Sequence, residues 1–353
     1  MSRLQKLLSR IGLPDPRLGA RAQAHLDQLT KPPGSLGRLE ELARRVVEIT
    51  GKDPPSVKRP LIFTLAGDHG VVVEGVSAYP QVVTAQMVEN FLRGGAAVNV
   101  LARHAGARVL VADLGVATPL PSHPALVVKK VAPGTANLAR GPAMTRSQAI
   151  QAIESGIQLV DAEARTGCDL IGLGEMGIGN TTAASAITSV LTGVAPEAVT
   201  GRGTGIDEAT WQRKVAVIRR ALAVNQPDPT DGLDVLAKVG GFEIGGLVGV
   251  ILSAAAARIP VVVDGFIAGA AALIAVTLKP EARPFLLASH CSAEPGHRVI
   301  LGHLGLKPYL DLELRLGEGT GAALAFTLIQ AAVKVYTEMA TFKSAGVSTS
   351  RGD

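Results

Sequence analysis

The chain has 353 residues, enough to bury one large core, or one large domain with a small satellite. Apolar residues make up 47% and aromatic residues 3%, so the core must be built from Ala, Val, Leu and Ile, and rings for stacking nucleic-acid bases are nearly absent. The net charge of +5 is scattered along the chain and suits small anionic substrates better than nucleic acid; the two cysteines, Cys168 and Cys291, have neither metal-ligand spacing nor a disulfide framework, which fits a reducing, cytoplasmic compartment.

Residues 1–55 are charged, helical in pattern and punctuated by LPDP and KPPGSLG. They predict a small helical subdomain, joined by about 340–353 because the last helix must lead away from the sheet. The opening MSRLQKLLSRIGLP lacks the long apolar stretch of a signal peptide. Residues 56–339 predict a large Rossmann-like catalytic domain. Within it, compact apolar runs predict strands at Leu61–Leu65, Arg108–Asp113, Asp169–Leu173, Val261–Val263 and Phe285–Ala288. Between them, helical patterns cover Val82–His104, Thr145–Arg165, Thr181–Leu191, Glu208–Val224, Leu233–Ala257, Ile267–Leu278 and Thr320–Met339. This alternation predicts an α/β fold: a doubly wound, mostly parallel sheet with flanking helices, plus the small helical subdomain from both chain ends. The most apolar region, Ile244–Leu278, is interrupted by Arg258 and Asp264, and neither part reaches the roughly 18 residues of a membrane span. The terminal Arg351-Gly352-Asp353 reads as a frayed tail, not as an adhesion motif.

In open α/β sheets ligands bind beyond the carboxyl ends of the strands, so the chemistry is expected in the loops that follow the apolar runs. After the first run stand Asp68 and His69. No third ligand is adjacent and no HxH or HExxH spacing occurs, so the plain reading is that the two side chains pair to fix the loop. After the third run, Gly174-Glu175-Met176-Gly177-Ile178-Gly179-Asn180-Thr181-Thr182 leads into an Ala-rich helix. Its glycines and free helix amides suit phosphate or carboxylate, yet the loop lacks both the GK[ST] ending of a P-loop and the third glycine of a dinucleotide fingerprint. Gly203-Thr204-Gly205-Ile206-Asp207 precedes a helix bearing Lys214. Spacing alone favours Asp207 as an N-cap and Lys214 as a solvated lysine over a phosphate site with a lysine charge.

The fifth run ends in Ser289-His290-Cys291-Ser292-Ala293-Glu294-Pro295-Gly296-His297. It lacks the G-x-S-x-G elbow, and Glu294 with Pro295 fits ordinary helix capping. Last, Glu318 stands between two glycines ahead of a long apolar helix. Two readings remain open there: a carboxylate stabilised by the helix N-terminus, with a lowered pKa, or a general base exposed by its Gly flanks and partly desolvated by bound substrate, with a raised one.

The ordered set KPPGSLGRLEELA, AGDHGVVVEGVSAYPQ, RGGAAVNVLAR, GEMGIGNTT, GTGID, GGFEIGG, VVVDGFIAGAAAL, SHCSAEPGH and RLGEGTGAALA runs over roughly residues 30 to 345. Together these segments resemble the nicotinate-nucleotide–dimethylbenzimidazole phosphoribosyltransferase family. The resemblance implies transfer of a 5-phosphoribosyl group from nicotinate mononucleotide to 5,6-dimethylbenzimidazole with inversion, giving α-ribazole 5′-phosphate and nicotinate in cobalamin nucleotide-loop assembly. It implies Glu318 as general base and Glu175 as a second active-site carboxylate. It implies phosphate or nucleotide binding at Gly177, Gly179, Asn180, Gly203, Thr204, Lys214 and Gly265, and a base pocket at Tyr79, Pro80, Met87 and Leu316. It also implies no metal or other cofactor, and a homodimer. The rivals are the same fold with another donor or acceptor, a silent mononucleotide sensor, a nicotinamide-dependent dehydrogenase without the full G-x-G-x-x-G loop, and a diphosphate-using phosphoribosyltransferase without its acidic pair.

Overall fold

The computed structural model describes residues 2–203 and 205–348; Thr204 and the Arg-Gly-Asp tail lie outside the described residues. In chain order the elements are α1 (Arg3–Leu8), α2 (Pro16–Asp27), α3 (Arg38–Thr50), β1 (Pro60–Gly67), α4 (Val83–Arg93), α5 (Ala97–His104), β2 (Arg108–Gly115), β3 (Leu126–Val128) and α6 (Arg146–Arg165). Then follow β4 (Leu170–Met176), α7 (Asn180–Thr192), α8 (Pro196–Val199), α9 (Glu208–Asn225), α10 (Gly232–Val239), α11 (Phe242–Ala256), β5 (Val261–Val263) and α12 (Phe266–Leu278). The chain closes with β6 (Leu286–Ala288), α13 (Pro295–Leu304), α14 (Thr320–Glu338) and α15 (Phe342–Ala345).

The six strands pair in the order β3-β2-β1-β4-β5-β6, every pair parallel. This is the doubly wound arrangement that the alternation predicts, with its switch point between β1 and β4. Helices cover both faces of the central strands. Leu65 meets α11 at Gly246, whereas Ile62 meets α14 at Gly319, and residues three apart on a strand point to opposite faces.

Three differences from the sequence expectation have local causes. The expected helix over 82–104 is two helices, because Gly94, at φ 76°, ends α4 in the left-handed region that a side chain avoids. The expected helix over 233–257 also divides, at Gly240-Gly241, where both residues are extended. Strand β3 has three residues, two half-buried and one exposed, and so carries no apolar run to read.

The aromatic-poor core packs through close helix contact. On α6 and α11, a Cβ at Gly156 would overlap the Gly246 carbonyl oxygen, and one at Gly249 would overlap that of Ile153. Backbones this close leave few voids despite small side chains.

The two chain ends meet: Leu29 bridges Thr341, Thr30 N–H donates to Ala340 O at 2.9 Å, and Phe342 N–H donates to Gln28 O at 2.9 Å. Helix α3 packs on α2 and α14, whereas α1 packs on α6 and α11. The KPPGSLG turn is held by a buried ion pair, Lys31 Nζ to Glu40 Oε1 at 2.8 Å, with Leu36 N–H donating to the same oxygen at 3.0 Å.

Candidate active site

The loops after β1, β4, β5 and β6 and the segment before α14 enclose a cavity of about 740 Å³. Register puts Glu175 opposite Leu65 at the end of β4, so its carboxylate emerges at the switch point. Asn180 Nδ2, on the first turn of α7, donates to Glu175 Oε2. Gly317 lies directly against the other oxygen, and a Cβ there would overlap it. Burial pushes the Glu175 carboxyl up to about 8, and the negative charges of Asp264, Glu243 and Glu318 push the same way.

Glu318 faces the same cavity. Its backbone sits at φ 64°, an uncommon conformation for a residue with a side chain. Two contacts hold it there: Thr64 Oγ1 donates to Glu318 O at 3.1 Å, and Gly174 on β4 has no Cβ to collide with that carbonyl. Glu318 Oε2 is buried without a hydrogen-bond partner. The helix N-terminus does not stabilise this carboxylate, because a different residue occupies it. Asp264, after β5, accepts from Gly319 N–H at 3.1 Å and Ala322 N–H at 3.0 Å. Burial first, and then Asp264, push Glu318 up to about 7; burial holds Asp264 itself at about 7 against those backbone hydrogen bonds. Of the two open readings the shift follows the raised one, but Glu318 is not exposed by its glycine flanks: the fold itself buries it, to 5% exposure. The role of Asp264 was invisible in sequence, where it only interrupted an apolar run.

Gly177, Thr181 and Gly203 line the same cavity, and Lys214 stands behind Thr181 and Gly203. Lys214 is not solvated, as its spacing alone suggested: it is 1% exposed, and its Nζ donates to Thr181 Oγ1 at 2.7 Å. Burial lowers its ammonium to about 8, opposed by the charge of Glu294. Asp207 does cap α9, accepting from Thr210 N–H at 2.8 Å. Pro295 opens α13 with Glu294 at its N-cap, but the Glu294 side chain does not cap the helix; its Oε1 accepts from Gly203 N–H at 2.9 Å instead.

His290 also lines the cavity. Ser289 Oγ donates to Asp264 O at 2.8 Å and lies 2.9 Å from His290 Nδ1. With the Ser289 proton on Asp264 O, the pairing favours a hydrogen on Nδ1 and a lone pair on Nε2. Burial lowers His290 to about 4, which keeps the ring neutral. His297 accepts Ser292 N–H at Nδ1, 2.9 Å away, and is likewise lowered, to about 3, by burial.

Asp68 and His69 do not pair with each other. His69 Nε2 lies 2.6 Å from Glu243 Oε1 on α11, both side chains fully buried, and Asp68 Oδ2 accepts from Ala117 N–H at 2.8 Å. Each fixes the loop separately, and Glu243 was absent from the sequence reading. Of the residues singled out there, Glu175, Gly177, Asn180, Gly203, Gly265, Tyr79, Met87, Leu316 and Glu318 line the cavity, with Tyr79 and Leu316 exposed at its mouth. Lys214 stands behind Thr181 and Gly203; Gly179 and Pro80 do not line the cavity; Thr204 lies outside the described residues. Gly179 serves the backbone instead, as the left-handed residue, φ 94°, that starts α7. Among the described residues, no group of three or more His, Cys, Asp or Glu side chains is arranged to hold a metal ion, and no helix is long and apolar enough to cross a membrane.

Comparison with known proteins agrees in sequence and in fold. A family described as phosphoribosyltransferase matches residues 11–347. A nicotinate-nucleotide–dimethylbenzimidazole phosphoribosyltransferase from Chloroflexus aggregans is 59% identical over 348 residues, 99% of each chain. One of the same name from Geobacter sulfurreducens is 58% identical, again over 99% of each chain. The crystal structure of the enzyme so named from Thermus thermophilus superposes with a TM-score of 0.90 at 49% identity, covering 95% of this chain and 100% of that one.

Proposed function

Since the chain belongs to the nicotinate-nucleotide–dimethylbenzimidazole phosphoribosyltransferase family, we propose that it transfers the 5-phosphoribosyl group of nicotinate mononucleotide to 5,6-dimethylbenzimidazole, releasing nicotinate and α-ribazole 5′-phosphate. The observation that carries this reading is one cavity lined by two raised carboxyls, Glu175 and Glu318, and by Gly177, Thr181 and Gly203, with the buried Lys214 ammonium behind Thr181.

The donor's ring nitrogen is a pyridinium, so nicotinate leaves with a neutral nitrogen and needs no general acid. The acceptor attacks C1′ through one neutral ring nitrogen, and its other N–H becomes acidic as the bond forms. Glu318 removes that proton; a carboxyl held near 7 is poised to be ionised before attack and protonated after it. Attack opposite the leaving ring inverts the β-linkage. Positive charge gathers on the ribose in the transition state, where Glu175, oriented by Asn180 and drawn toward its ionised form by the cationic donor, stabilises it. Gly177, Gly203 and Lys214 hold the phosphate, with Asn180 and Gly265 beside the ribose and Thr204 adjoining Gly203 in sequence. Tyr79, Met87 and Leu316 flank the flat acceptor at the mouth, with Pro80 behind Tyr79. Holding two rings against one ribose supplies the rest of the acceleration. The reading includes a cytoplasmic homodimer, and light scattering on the purified protein checks the dimer.

The test is a metal-free incubation of the purified chain with both substrates, followed by mass-resolved chromatography. Nicotinate and α-ribazole phosphate are expected together, and only when both substrates are present. Mononucleotide binding without product would refute the acceptor.

A further inference from the structure

We propose that Glu294 is a built-in occupant of the phosphate cradle, a carboxylate that the nucleotide phosphate must displace into the neighbouring cavity. The inference rests on the reading of Gly203 and Lys214 as phosphate ligands.

Glu294 is buried, and its Oε1 takes the Gly203 N–H at 2.9 Å. Its Oε2 is buried and has no hydrogen-bond partner. The carboxylate can lie this close to the loop because Gly201 has no Cβ, which would overlap it. Beside it, Lys214 Nζ donates one of its three protons to Thr181 Oγ1, and the charge of Glu294 favours keeping all three. Backbone amide, buried ammonium and an anion's oxygen are the parts of a phosphate site, with a side chain supplying the anion.

Glu294, Gly203 and Thr181 line the same cavity as Glu175 and Glu318, so a bound phosphate and this carboxylate would share one confined space. Two anions there repel strongly, and the weaker ligand must yield. Somewhere to go exists. Glu294, Gly203 and Arg315 also line a second cavity of about 600 Å³, together with Arg202 and Trp211. Arg315 Nη1 now donates to Gly203 O at 3.1 Å. A displaced carboxylate would find Arg315 on that side, and Arg202, which already pairs with Glu208 at 2.5 Å, exchanging the Gly203 amide for guanidinium partners.

The arrangement keeps Lys214 charged and the 201–203 loop ordered while the site is empty. It also makes phosphate affinity a difference between two anions, so that a weakly charged ligand fails to displace the carboxylate.

The experiment measures binding of inorganic phosphate, then of nicotinate mononucleotide, to wild type, Glu294→Gln and Glu294→Ala by calorimetry. Glutamine can still accept from Gly203 N–H but carries no charge, so Glu294→Gln is expected to bind inorganic phosphate at least about tenfold tighter and to lower the Kd of the mononucleotide too. Unchanged or weaker phosphate binding in Glu294→Gln overturns the inference. A mere strut predicts instead that Glu294→Ala loses affinity while Glu294→Gln keeps the wild-type value. Wild type that binds neither ligand refutes the phosphate site and this inference with it; wild type that binds both, beside an unaltered Glu294→Gln, refutes the inference alone. Should Glu294→Gln fail to fold, a crystal structure of wild type with phosphate decides: Glu294 still on Gly203 N–H beside the bound ion overturns the proposal.

Discussion

Asp264 takes the amide protons at the start of α14, accepting from Gly319 and Ala322, and so denies them to Glu318, the residue just before that helix. Helix dipole and backbone donors would otherwise hold Glu318 ionised and weakly basic. The negative charge of Asp264 instead adds to burial in raising it. Replacing Asp264 by Asn removes that charge and sets an amide NH₂ against backbone donors. The acidic limb of the rate profile is expected to move to lower pH, with stability falling by about 1–3 kcal/mol for the lost acceptor. Rates across pH, beside chemical denaturation, check both effects; a limb that stays in place would show that Asp264 does not tune Glu318.

Glu318→Gln is expected to keep both substrates bound while turnover falls by about 10²–10⁴-fold, the usual range for losing a general base. Steady-state kinetics with calorimetric binding separate the two. A rate near wild type assigns the proton to another group.

The pH profile of kcat/KM should have two limbs. The rate rises through about 7, because Glu318 must be ionised to accept a proton and its carboxyl is held there. It falls above about 8, where Lys214 loses the charge assigned to phosphate in the proposed function. Glu175 and Asp264 lie close in charge to Glu318, so the lower limb belongs to the cluster as a whole. Glu318→Gln should shift and flatten the lower limb of the residual rate, leaving the share that Glu175 and Asp264 carry.

Lys214→Ala should raise the KM for the mononucleotide at least about tenfold while leaving that for the benzimidazole nearly unchanged, since only the donor carries a phosphate. Lys214→Met, which keeps most of the buried chain, separates the charge from its packing. Equal changes for both substrates would remove Lys214 from the phosphate site.

Stability should fall as pH rises. Glu175 and Asp264 have ordinary values of 4.5 and 3.8, yet are held at about 8 and 7 by burial. Between those limits the folded chain keeps protons that the unfolded chain has lost, so these two carboxyls weaken the fold up to about pH 8, while His290 and His297, lowered from 6.5 to about 4 and 3, oppose part of the loss below 6.5. Urea denaturation from pH 5 to 8.5 reads the slope, and Glu175→Gln should flatten it. An unchanged slope would mean that Glu175 is ionised in the native state throughout.

Sequence by itself determined the alternation, five of the six strands and the loops that line the candidate cavity, because these rest on local apolar periodicity and on glycines that punctuate it. The ordered loop motifs likewise singled out Glu175 and Glu318. Sequence could not show that Lys214 is buried, that Glu294 reaches Gly203 across 91 positions, or that Glu243 and not Asp68 meets His69. Nor could it reveal that Asp264, 55 positions before Gly319, takes the amides at the start of α14. Those facts depend on which loops the parallel strand order brings to one end of the sheet. The state of each charge there is decided by burial and by neighbours distant in the chain, and only the tertiary structure sets either.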